Sequence, residues 1–158
     1  MIDDAPDNRR DGYQKADDVC ILVADDDEEF REDLARVLAG RGMRVLRAGS
    51  GPQCVEILSA ESPDVVLINV QAPGSNGLER VDEIKRRWPM IEVIILTGRG
   101  TVDLAVAGLK LGAFDFLVKP QDPEDLATKV LRAARQKIRT QRELLGKSLG
   151  ERIRREAE

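Results

Sequence analysis

Three aspartates in a row, Asp25, Asp26 and Asp27, follow directly on the apolar run Ile21-Leu22-Val23-Ala24. Adjacent carboxylates concentrate like charge, which a bound cation relieves. A plainer use also exists, because Asp26 or Asp27 can cap a helix starting near Glu28 by accepting its first N–H groups. A second run, Val65-Val66-Leu67-Ile68, ends at Asn69. Its neutral amide donates and accepts hydrogen bonds but offers no carboxylate oxygen as a nucleophile. Val93-Ile94-Ile95-Leu96 ends at Thr97, and Phe116-Leu117-Val118 ends at Lys119-Pro120. The Thr97 hydroxyl and the Lys119 ammonium can serve anionic oxygens, and Lys119 can equally pair with Asp25, Asp26 or the Asn69 carbonyl. Taken singly, Thr97 is an ordinary β-branched strand-end residue and Lys119 an ordinary exposed lysine.

These residues share a position more than a motif, since each closes an apolar run. Strands are expected at about 20–24, 44–48, 64–69, 92–97 and 115–118. Between them, apolar residues recur at helical spacing. Phe30, Leu34, Val37 and Leu38 share one face, as do Leu78, Val81, Ile84 and Trp88. Val102, Ala105, Val106 and Leu109 repeat the pattern, and so do Leu126, Val130, Ala134 and Ile138. Gly40 and Gly42 end the first helix, and Pro89 closes the third. Strands read as buried on both faces and separated by single helices imply right-handed crossovers and a parallel sheet. The expected fold is α/β, a doubly wound five-stranded parallel sheet of flavodoxin-like order 2-1-3-4-5. That order places Asp25, Asp26 and Asn69 together at the topological switch point.

Bulk properties narrow the function. The chain has 158 residues and a net charge of -4, enough for one domain with extensions and too mild a charge to name a partner. The absence of histidine excludes a His-based catalyst, a His metal site and a phosphohistidine relay within this chain. No run reaches the roughly 18 apolar residues of a membrane span. The polar, acidic start carries no signal peptide, so a cytoplasmic location is expected. Cys20 and Cys54 lie in apolar patterns on separate elements and are read as reduced core residues. Residues 1–18 lack periodicity and are expected to be a disordered arm. Residues 136–158 are expected to form a basic helical extension, weakened towards its end by Gly146 and Gly150 at about 1 kcal/mol each. It suits a solvated linker or a dimerising helix, and less well a nucleic-acid contact.

Paired acids, a strand-end residue before a Pro/Gly loop, a strand-end threonine and a Lys-Pro pair make the chain resemble the response-regulator receiver domain of two-component systems. The resemblance covers about residues 19–135. The stretch Thr97-Gly98-Arg99-Gly100 with Ala107-Gly108-Leu109-Lys110-Leu111-Gly112-Ala113-Phe114-Asp115-Phe116 is similar to receivers of the nitrogen-regulator type. Those often precede an ATPase and a DNA-binding module, and neither motif occurs after residue 122. The resemblance implies that Asp25, Asp26 and the backbone carbonyl of Gln71 hold Mg²⁺. It implies that Thr97 and Lys119 contact phosphoryl oxygens, that the Lys119-Pro120 bond is cis, and that Phe116 holds the switch aromatic position. It also implies an aspartate, the phosphoacceptor, where Asn69 stands. Ala72 and Asn76 are further departures, from methionine and aspartate.

The reading that results is a pseudo-receiver in phosphorelay signalling. It is not an enzyme, cannot form aspartyl phosphate, binds Mg²⁺ weakly or not at all, and signals by protein contact. Its partners would be a sensor kinase, an output protein or a second copy, met through the fourth and fifth helices and the fifth strand, with no direct nucleic-acid or membrane contact. Natural divergence or an engineered Asp-to-Asn change both account for Asn69. Alternatives are a phosphoacceptor mutated at Asn69, and an anion or ligand sensor using the Thr97/Lys119 pocket.

Overall fold

Strand β1 (Cys20–Ala24) is apolar throughout because the sheet around it is covered on both sides. The computed structural model describes residues 19–70, 77–98 and 102–157. β1 alternates in sequence with α1 (Glu28–Gly40), β2 (Arg44–Ala48), α2 (Gly51–Ala60), β3 (Val65–Asn69), α3 (Gly77–Arg87), β4 (Glu92–Thr97), α4 (Val102–Lys110), β5 (Asp115–Val118) and α5 (Pro123–Ala157). The sheet is parallel throughout, in the order β2-β1-β3-β4-β5. The expected strands and their order are therefore found.

Period-two alternation splits each strand between two cores. Ile21, Val23, Val65, Leu67, Ile94 and Leu96 face α1 and α5, while Leu22, Val66, Ile68, Val93 and Ile95 face α2, α3 and α4. Asp27 caps α1 through its carboxylate, which accepts from Phe30 N at 3.2 Å. Ser50 caps α2 by accepting from Gln53 N at 3.2 Å. Gly42 takes φ 88° after α1, a left-handed turn that releases the chain into β2.

Helix α4 turns most of its repeating apolar face outward. Val102, Val106 and Leu109 are 79%, 44% and 48% exposed, and Leu104 and Gly108 are buried instead. The cause is close approach: a Cβ at Gly108 would stand 2.5 Å from Ile95 Cδ1. The helix therefore seats its smallest residue on β4 and turns its branched side chains outward.

Helix α5 packs Leu126, Val130 and Ala134 against the sheet as expected, with Ile138 partly buried. Packing continues past Arg135, because Lys137 is also buried. The helix then runs unbroken through Gly146 and Gly150 to Ala157, where fraying was expected. Strong helix formers on either side of both glycines offset their propensity cost. No described helix is long and apolar enough to cross a membrane.

Candidate functional site

The carboxyl ends of β1, β3, β4 and β5 lie side by side, so parallel order alone gathers Asp25, Asn69, Thr97 and Lys119. Asp25 is the centre of this group and is only 4% exposed. Lys119 Nζ donates to its Oδ2 at 2.6 Å. Its Oδ1 accepts from Asn69 Nδ2 at 3.2 Å and from the backbone N–H of Asp27 at 3.0 Å. Both oxygens are engaged, as a shielded carboxylate requires.

The contact between Asn69 and Asp25 fixes the amide's orientation. A carboxylate oxygen only accepts, so the NH₂ of Asn69 must face it and the amide oxygen must turn away. For Mg²⁺ this donor set fits poorly. The ion takes hard oxygens in near-octahedral array, whereas Asn69 presents N–H groups to the carboxylate and Lys119 places a positive charge against it. Among the described residues, no group of three or more Asp, Glu or Cys side chains is disposed to hold a metal. Asp26, next in the chain, is exposed. Gln71, expected to lend its carbonyl, lies outside the described residues, as do Ala72 and Asn76.

Thr97 is completely buried at the end of β4, and its carbonyl accepts from Lys119 N at 2.8 Å, tying the β5 exit to β4. The Lys119-Pro120 bond is cis. The ammonium of Lys119 also lies over the Phe30 ring, 3.8 Å from its centroid, in a cation–π contact. Phe116 is half-buried against the α2/α3/α4 core.

A cavity of about 370 Å³ opens beside these groups, lined among others by Asp25, Asp26, Ser50, Cys54, Asn69 and Arg80. Thr97 and Lys119 do not line it. Burial pushes the Cys54 thiol up to about 11, with Arg80 opposing the shift and Glu83 adding to it. Cys20 and Cys54 are both free thiols.

Two arginines escaped the sequence reading. Arg31 donates from NH1 to the Asp25 carbonyl at 3.0 Å and packs beside Gly49. Arg80 lies over Gly51, at the start of α2, and its NH1 donates to Glu83 at 2.9 Å. A signal for Arg31 did exist. Positive charge in the first turn of a helix runs against the macrodipole, which suggests an interaction elsewhere.

The response regulator receiver domain matches residues 21–131 of this chain. The DNA-binding transcriptional regulator NtrC of Escherichia coli K12 is 40% identical over 113 residues, covering 72% of this chain and 24% of NtrC. The chain thus spans about a quarter of the length of that relative. The beryllofluoride-activated NtrC4 receiver domain dimer matches with a TM-score of 0.69 at 30% identity, over 75% of this chain and 98% of that one. A CheY-like receiver domain protein from Methanospirillum hungatei JF-1 gives a TM-score of 0.73 over 77% of this chain and 98% of its own. At 23% identity it speaks for the fold alone.

Proposed function

The chain belongs to the response regulator receiver domain family, and from that premise we propose that it is a pseudo-receiver signalling by protein contact. Receiver domains serve phosphorelay signalling, bind Mg²⁺ at the acceptor site and work through kinases, output domains or dimers. The single observation carrying the finer reading is the amide of Asn69 turned by its nitrogen onto Asp25. Aspartyl phosphate is a mixed anhydride and needs a carboxylate oxygen, which an amide lacks. Mg²⁺ binding is correspondingly weak or absent, since the amide removes one formal charge from the donor set. Lys119, with Asp25 already as its partner, has no new anionic oxygen to move towards.

Without that charge, control passes to binding at the surface. The outward face of α4, with Val102, Val106 and Leu109, joins exposed Val118 of β5 to offer an apolar contact area. The extension of α5 offers another, and self-association through it is part of the same reading.

Acetyl phosphate with Mg²⁺ should leave the intact mass of the native chain unchanged. Asn69→Asp should gain one phosphoryl group and bind Mg²⁺ more tightly. A hydroxylamine-labile phosphoryl group on the native chain would overturn the proposal. An inert Asp variant would mean that Asp25, Asp26, Thr97 and Lys119 no longer make a working site, which also removes the case for a receiver disabled only at position 69.

A further inference from the structure

Beyond the sheet, α5 carries a row of residues spaced three, four, four and three apart: Arg142, Leu145, Leu149, Ile153 and Glu156. At 3.6 residues per turn such spacing keeps all five on one side of the helix. The row is open to solvent, with Leu145, Leu149 and Ile153 exposed by 62%, 48% and 66%. Leu144, also exposed, lies off it.

We infer that this row is an interface with a second copy of the chain, the two helices crossing antiparallel with Leu149 at the two-fold axis. The inference deepens the contact reading above and rests on it. Charge decides both the occupant and the direction. In an antiparallel pair centred on Leu149, residues equally far from it on either side meet across the seam. Leu145 then meets Ile153, four residues either way, and Arg142 meets Glu156, seven residues either way. Symmetry makes each pairing occur twice, so the apolar row is closed at both ends by opposite charges. Three residues either way, Arg152 meets Gly146, where nothing lies within 4 Å of an added Cβ, so its stem has room. A parallel pair instead sets every residue against itself. Arg142 would face Arg142, Arg152 would face Arg152 and Glu156 would face Glu156, all like charges on the seam.

The test is sedimentation of the full chain from micromolar to hundreds of micromolar, with charge-reversed variants. Dimers are expected, and Arg142→Glu or Glu156→Arg alone should weaken them by about tenfold. The double variant, Arg142→Glu with Glu156→Arg, should restore native association, because swapping both ends of an antiparallel seam recreates the pairs. In a parallel seam the double variant only exchanges one like-charge clash for another and restores nothing. Circular dichroism on every variant separates lost association from lost helix. Cross-linking supplies a second readout in a Cys20→Ala background. Mixed Leu145→Cys and Ile153→Cys chains should form a disulfide, and Leu145→Cys alone should not. Cross-linking of Leu145→Cys with itself, or no rescue by the double variant, would overturn the antiparallel seam while leaving the extension as a contact surface. A chain that stays monomeric at the highest concentration would overturn the seam and the self-association reading together. In that case the mass test on Asn69 would still decide the pseudo-receiver reading separately.

Discussion

The two ends of the sheet each hold a lysine against a sheltered aspartate, and the two pairs differ in what else holds the acid. At the carboxyl end, Lys119 meets Asp25 at 2.6 Å. At the amino end, Lys137 of α5 meets Asp64 Oδ1 at 3.0 Å, while Asp64 Oδ2 accepts from Cys20 N at 2.9 Å. The Asp64 backbone adds two bonds, from its N–H to Cys20 O at 2.7 Å and from Glu92 N to its carbonyl at 3.1 Å. Asp64 therefore joins β1, β4 and α5 at the point where the chain enters β3. Asp25 is held by its own loop, by its N–H to Ala48 O at 3.0 Å, by Arg31 on its carbonyl at 3.0 Å, and by two side chains from other strand ends, Asn69 and Lys119. The same ion pair serves as a fastener at one end and as part of a rearrangeable cluster at the other. What separates them is the group from a neighbouring strand that shares the carboxylate with the lysine: the backbone of β1 at Asp64, and the Asn69 side chain at the end of β3 at Asp25.

Breaking the fastener should have the larger effect. Asp64→Ala leaves Lys137 shielded without its carboxylate and strips an acceptor from Cys20 N, so unfolding free energy in urea should fall by about 3 kcal/mol. Lys119→Met should cost less, about 2 kcal/mol, because Asp25 keeps the N–H groups of Asn69 and Asp27. Equal losses at the two ends would remove the distinction. A third effect comes from the thiols, one at each end, and it emerges only at alkaline pH. Cys54, beside the cavity, is raised from 9.0 to about 11 by burial, so the folded chain holds this proton more tightly than the unfolded chain does. Stability should therefore decline as pH rises from about 9 to 11, and Cys54→Ala should flatten that decline. Iodoacetamide at pH 8 should label Cys54 about 100-fold more slowly than a free thiol. Asp64→Ala should speed labelling of Cys20, at the amino end, and leave Cys54 unaffected.

Much of this was legible in the chain itself. Apolar runs such as Val93-Ile94-Ile95-Leu96 carry strand identity in their composition, and parallel order follows from the single helices between them. Every strand-end residue singled out for chemistry therefore comes to one edge. What the sequence hid depended on distance between elements. The period of α4 says which residues share a face, not which face turns inward; that depended on Gly108 meeting Ile95. Lys137 reads as one more basic residue of the extension, because its partner Asp64 is 73 residues away. The cavity beside Asn69 arises from the start of α2 and from Arg80 of α3, and no local pattern links them.

The continuity of α5 has a mechanical consequence. From Ile138 to Ala157 the helix rises about 30 Å at 1.5 Å per residue, and Lys137 fastens it where it leaves the sheet. A rod held at one end magnifies whatever tilts its root, so a rotation of about 5° would sweep the far end through roughly 2.6 Å over that length. Side-chain packing registers shifts of that size as the difference between a seated and an unseated contact. Motion too small to detect inside the domain thus becomes a change of register at the tip.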